Sequence, residues 1–97
     1  MLTWVIYDIS DDNRRDKIAK GCQRYGLYRI QKSVFLGNIP PHCADEIAEF
    51  SRKHIDDETD AVFILPCCDA DFEKRIVVGR KDYDDELVKG TKKTLTI

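Results

Sequence analysis

The fold turns on residues 2–9, LTWVIYDI. The stretch is rich in β-branched and aromatic side chains, which suit a pleated, packed surface, so it reads as a strand. Leu2, Trp4 and Ile6 fall on one side of it and Val5, Tyr7 and Ile9 on the other. A strand that is apolar at both parities needs cover on both faces, which is the situation of a central strand. Asp8 breaks the pattern at the carboxyl end.

Ser10-Asp11-Asp12-Asn13 follows, four residues whose short polar side chains favour an N-cap. A helix then runs to about Tyr25, with Ile18, Cys22 and Tyr25 as its buried stripe and Gly26 as its C′ residue. Leu27–Gln31 and Ser33–Ile39 read as two short strands around a tight break at Lys32-Ser33. Pro41 suits the first turn of a second helix reaching His54, with Ala44, Ile47, Ala48 and Phe50 or Ser51 as a narrow apolar face. An acidic turn, Asp56 to Asp60, leads into Ala61–Leu65, a strand apolar on both faces and closed by Pro66. Arg75–Val78 reads as a further short strand and Thr94–Ile97 as a last one, with a polar stretch from Lys81 to Lys93 between them.

The order β-α-β-β-α-β is that of the ferredoxin-like α+β fold, here with one or two extra C-terminal strands. Both helices of that fold lie on one face of an antiparallel sheet. The apolar residues on the other face then lack cover, and no further helix is legible to supply it. A homodimer that packs sheet face on sheet face is the simplest solution. The expected division is a ferredoxin-like domain over residues 1–80 and an extension, 81–97, that packs on the partner subunit.

At 97 residues, 42% hydrophobic and 35% charged, the chain suits one globular domain and excludes a disordered polymer. No apolar run approaches the ~18 residues of a membrane span, and the start, Met1-Leu2-Thr3-Trp4, lacks the basic region of a signal peptide. The expected location is the cytoplasm. Cys22, Cys43, Cys67 and Cys68 show no Cys-x-x-Cys spacing, and neither His42 nor His54 completes a cysteine-based zinc motif. All four read as reduced structural thiols.

A net charge of −2 argues against a general polyanion binder, but its distribution does not. Between Asn13 and Lys32 stand seven basic residues, Arg14, Arg15, Lys17, Lys20, Arg24, Arg29 and Lys32, against Asp16 alone, a net of +6. Arg14 and Arg15 occupy the first helical turn, where the helix dipole disfavours cations, so another purpose holds them there.

Three stretches carry a resemblance. Tyr7-Asp8-Ile9-Ser10-Asp11-Asp12 leads into Arg14-Arg15 and a helix ending Tyr25-Gly26, then come Gln31-Lys32-Ser33-Val34-Phe35 and the strand Ala61–Leu65 with Pro66-Cys67. In this order and spacing, over about two thirds of the chain, they resemble the CRISPR-associated Cas2 family. The resemblance implies a ferredoxin-like homodimer in which a terminal strand of each chain packs against its partner's sheet. It also implies a place in the complex with the CRISPR integrase that inserts new spacers. Some members are described as metal-dependent nucleases on RNA or duplex DNA, with the strand-end aspartate, here Asp8, binding Mg2+ (or Mn2+).

Asp8 suits that role, because magnesium takes few carboxylates together with waters and phosphate oxygens. Its alternative is an N-terminal cap or an ion-pair partner of Arg14 or Arg15. Arg14, Arg15, Lys17, Arg24, Arg29 and Lys32 are the candidates for phosphate contact, positioning a nucleic acid without reading its sequence. Ser33 can donate to a phosphate or stabilise the turn, Phe35 packs beneath the site, and Tyr7 is core or interface. Three functions follow as expectations. One is a dimeric adaptor that holds spacer DNA or RNA beside the integrase, and another a magnesium-dependent endonuclease using Asp8. The third is a regulatory or ligand-sensing dimer without nucleic-acid activity.

Overall fold

The computed structural model describes residues 1–80 and 83–90. Strand β1 (Leu2–Asp8) is followed by helix α1 (Asp12–Arg24), the hairpin β2 (Tyr28–Gln31) and β3 (Val34–Asn38), helix α2 (Pro41–His54) and strand β4 (Ala61–Cys67). Two short helices come after them, α3 (Asp69–Glu73) and α4 (Asp85–Lys89). The four strands form one antiparallel sheet in the order β2-β3-β1-β4, so β1 is central, as its two apolar faces require. This is the ferredoxin-like arrangement.

Register assigns the two faces. Val5 lies opposite Phe35 and Ile64, whereas Trp4 lies opposite Leu36 and Leu65, and Ile6 opposite Val34 and Phe63. The first set meets the helices. Val5, Tyr7, Ile9, Ile18, Cys22, Leu27, Phe35 and Ile47 are all buried in one cluster between the sheet and α1 and α2. Gly21 is there because the helices leave no room for a side chain. A Cβ at that position would sit 2.4 Å from Cε2 of Phe50, so the close approach offsets the cost of glycine within a helix. Gly26, at φ +88°, takes the left-handed conformation that ends α1 beyond Tyr25.

The second face departs from expectation. The chain does have helices for it, α3 and α4, each only five residues long and without a readable period. Phe72 and Val88 join Leu2 and Leu36 in a second buried cluster, with Trp4, Tyr28, Ile30, Cys67 and Tyr83 against it. Arg75 clamps the pair. Its guanidinium carbon lies 3.6 Å from the Phe72 ring centroid, and it donates to Tyr83 Oη (3.0 Å), the Phe72 carbonyl (2.8 Å) and Asp85 (2.6 Å). A Lys89–Glu73 ion pair joins the same two helices.

Cover stops there. Phe63 and Leu65 remain 57% and 47% exposed, and Ile76 and Val78 88% and 92%. Arg75–Val78 is therefore not the strand its β-branched residues suggested. With Arg75 held over Phe72, the segment crosses the sheet face, lining a groove with Trp4, Ile6, Ile30 and Val34, and pairs with no strand among the described residues. Pro66 does not close β4, which runs through it to Cys67, since an edge strand tolerates a residue without an N–H. The described part of the C-terminal extension packs on this chain's own sheet through Val88. The last expected strand, Thr94–Ile97, lies outside the described residues.

Candidate metal and nucleic-acid site

Asp8 is the last residue of β1, opposite Ala61. Its even position puts it on the second face, in line with Trp4 and Ile6, at the end that α3 and α4 leave uncovered. The residue is exposed, and its carboxylate takes no hydrogen bond or ion pair from the described residues. Neither alternative role falls to it. The N-cap of α1 is Asp11, which accepts from Arg14 N at 2.9 Å, and other acids pair with the arginines.

Arg14 reaches Asp60, Nε to Oδ2 at 2.8 Å, and its Nη2 donates to Ser10 Oγ at 3.3 Å. The Asp60 carboxylate has no solvent exposure. It also accepts from the backbone N–H of Asp56 (3.0 Å) and Ser10 (3.1 Å) and from the Thr59 hydroxyl (3.0 Å). The Arg14 guanidinium, followed by those backbone donors, holds the Asp60 carboxyl well below the usual carboxylate range. Arg15 pairs with Asp12 and donates Nη1 to the Ile9 carbonyl at 2.8 Å. These contacts account for two cations in the first turn. They fasten the β1–α1 connection, directly behind Asp8, to the loop that precedes β4.

The β2–β3 turn closes the other side. Tyr7 N donates to the Ser33 carbonyl at 3.0 Å, and Tyr7 Oη to the Lys32 carbonyl at 3.3 Å. Burial raises the Tyr7 phenol, which keeps its proton for that bond. A bulge between Arg29 and Gln31 breaks the ladder here. Arg29 donates Nη2 to the Lys32 carbonyl (2.8 Å) and to Tyr7 Oη (3.4 Å), with its guanidinium over the Phe35 ring. Lys32 is exposed and Ser33 half-buried. Arg14, Arg15, Arg29, Lys32 and Ser33 therefore gather around the end of β1, each bonded to a residue within two of Asp8 or next to one that is. Lys17 and Arg24 stand apart from this group. With Lys20 they line an exposed groove between α1 and α2 that contains Phe50 and His54.

The fit to a magnesium ion rests on the donor set. One exposed carboxylate without a partner among the described residues, facing solvent, matches the preference for few carboxylates, waters and phosphate oxygens. A single carboxylate per chain is sparse, and two brought together across a dimer would make a fuller site.

A second cluster involves Cys43 and His42, which the sequence reading took as a structural thiol and as no metal ligand, together with Glu46. The ligand atoms of His42, Cys43 and Glu46, in the first turns of α2, lie within 4.8 Å of one another. Their i, i+1, i+4 spacing on a helix was the available signal, and a search for cysteine pairs passes over it. The Cys22 thiol, by contrast, is pushed up to about 12 by burial and is an inert packing group.

Among the described residues no helix is long and apolar enough to cross a membrane. Residues 1–75 match the family model of CRISPR associated protein Cas2. A protein of Archaeoglobus fulgidus named CRISPR-associated endoribonuclease Cas2 1 is 38% identical over 89 residues, 92% of this chain and 93% of that one. In Thermoproteus tenax a CRISPR-associated endonuclease Cas1/endonuclease Cas2 fusion is 43% identical over 49 residues, half of this chain and 19% of that protein. The crystal structure of Streptococcus pyogenes Cas2 at pH 6.5 superimposes with a TM-score of 0.70 at 26% identity, covering 81% of this chain and all of that one. The strand-end aspartate, the arginines behind it and the Ser33-Val34-Phe35 turn are thus set in the fold of those relatives, and the chain belongs to the Cas2 family.

Proposed function

We propose that this chain is a dimeric CRISPR adaptation protein that grips nucleic acid by its backbone and cleaves phosphodiester bonds at a metal held by Asp8. The observation that carries the reading is the exposed Asp8 carboxylate, without a partner among the described residues, at the uncovered end of an apolar sheet face, with Arg14, Arg15 and Arg29 bonded to residues next to it in sequence or one removed. Phe63, Leu65 and Ile6 flank it on that face, and their burial against a second copy would bring two Asp8 side chains toward one another. A Cas1 integrase is the expected partner, since a relative carries both parts in one fused protein. Family membership lends no support to a regulatory, ligand-sensing dimer.

The residues divide the work. Asp8 would hold Mg2+ or Mn2+, which when bound activates a water and neutralises charge on the scissile phosphate. Arg29 and Lys32, at the turn beside it, position RNA or duplex DNA through phosphate oxygens, with Ser33 as a further donor. Arg14 and Arg15 hold the strand end and add positive potential. Lys17 and Arg24 extend the basic surface along α1.

Replacing Asp8 by Ala is expected to lower cleavage of labelled RNA or duplex DNA by roughly 100-fold or more, the size of losing one stabiliser of transition-state charge. Addition of a chelator to the wild type should do the same. Cleavage that survives either treatment removes Asp8 and its metal from the reaction and leaves the adaptor role alone. Lys17→Ala with Arg24→Ala should preserve the fold, both side chains being exposed. It should flatten the salt dependence of duplex binding by about 0.9 for each phosphate that is no longer neutralised. An unchanged slope excludes the α1 surface from the interface.

A further inference from the structure

We propose that His42, Cys43 and Glu46 form a second metal site, for a borderline divalent transition ion of the zinc type, independent of Asp8. The donors are an imidazole nitrogen, a thiol sulfur and a carboxylate oxygen, all within 4.8 Å of one another. Zinc takes this mixture readily, and three protein ligands with an open position for water form a complete site for it. Magnesium, which demands an octahedron of oxygens, does not suit it. The carboxylate and a thiolate together balance the charge of a divalent ion.

Helix geometry sets the convergence. His42 and Glu46 are one turn apart on one face of α2, with Nε2 and Oε2 3.8 Å apart, and Cys43 stands beside them. Pro40 and Pro41 restrict the backbone where this turn begins. Two supports lie outside the trio. Tyr25 Oη donates to Glu46 Oε1 at 3.3 Å, which leaves Oε2 facing the imidazole. A hydrogen bond from behind is the usual means of orienting a metal-binding side chain. Cys43 is half-buried against the main core, so its sulfur is held, while the exposed heads of His42 and Glu46 leave an entry path. The site lies near the amino end of β1, where Ile39 bonds Met1, about 20 Å along the strand from Asp8 and on the opposite sheet face.

The test is zinc titration of the untagged full-length chain against a chromophoric chelator, with cobalt absorption spectra to report thiolate ligation. Cys67→Ser with Cys68→Ser removes the other accessible thiols and should leave one tight site per chain. In that background Cys43→Ser should weaken zinc by on the order of 100-fold and abolish the sulfur-to-cobalt charge-transfer band. His42→Ala and Glu46→Gln should each cost roughly 10- to 100-fold, and Tyr25→Phe about 10-fold. Asp8→Ala and excess Mg2+ should change nothing. Zinc affinity unaffected by His42→Ala, or lost with Cys67 and Cys68 alone, overturns the proposal. Because His42 is exposed, its variant decides the matter even if Cys43→Ser disturbs the core.

Discussion

Asp60→Asn is expected to lower the melting temperature by roughly 5–10 °C, because it puts an amide where a buried carboxylate accepts from the half-exposed Arg14 and from three further donors. The substitution keeps the shape of the side chain and changes only its charge and half of its acceptors. In the wild type, Arg14, the Asp56 and Ser10 N–H groups and the Thr59 hydroxyl all point at the carboxylate. An amide nitrogen in place of one oxygen sets donor against donor, in a place without solvent to relieve it. The pH dependence gives the effect a signature. The folded-state carboxyl lies below its ordinary value of 3.8, so the native state binds fewer protons and the contribution is fully present above that value. It is lost as pH falls toward the folded value. The difference in melting temperature between wild type and variant should therefore be flat above about pH 5 and close below pH 3.8. Thermal unfolding followed by circular dichroism from neutral pH to pH 2 checks this, and a difference constant over that range contradicts the role given to the ion pair. One consequence concerns nucleic acid. Arg14→Ala acts on the fold as well as on any phosphate, so a loss of binding in that variant is interpretable only beside its stability.

Phe35→Ala should cost about 3–5 kcal/mol, the usual range for truncating a fully buried phenylalanine. Phe35 has no solvent exposure, lies opposite Val5 in the sheet and stacks on Tyr7 with ring centroids 6.3 Å apart. Its loss opens a cavity in the middle of the main cluster. It also removes the surface on which the Arg29 guanidinium rests, 5.4 Å from the ring centroid. Against a total of about 5–15 kcal/mol for a domain of this kind, the variant should melt roughly 15–30 °C lower or be partly unfolded at 25 °C. Urea unfolding measures the change directly. A cost below about 1 kcal/mol would mean that the core collapses into the space, and would contradict the packing role given to Phe35.

The two variants mark how far residue pattern reaches. Phe35 was readable as packing, from its place in a short apolar strand after a tight turn. Asp60 was not, for it closes a run of acidic residues, and its neighbours Asp56, Asp57 and Glu58 are as solvent-facing as such a run leads one to expect. Burial of Asp60 alone depends on Arg14, 46 positions away. Likewise the basic residues counted between Asn13 and Lys32 formed one group along the chain. In space they are three: Arg14 and Arg15 bonded behind Asp8, Arg29 and Lys32 at the neighbouring turn, and Lys17, Lys20 and Arg24 on the far side of α1. Helix position separates side chains that sequence places together, and sheet pairing joins those that it places apart.

Residue order was enough for the central strand, both long helices, the hairpin and the succession that makes the sheet ferredoxin-like. Each of these follows from local periodicity, capping residues and turn chemistry, which act over a few residues. Asp8 at the strand end was legible for the same reason. What covers the second face became visible only in the folded chain, because α3 and α4 are too short to show a period and are held by Phe72, Val88 and the Arg75 clamp. Folding also laid Arg75–Val78 across the second face and not along a strand, because Arg75 is held over Phe72 and the residues after it line the groove there. And folding brought Asp60 to Arg14 and Tyr25 to Glu46, contacts between distant segments whose strength depends on burial and distance, neither of which is written in the order of residues.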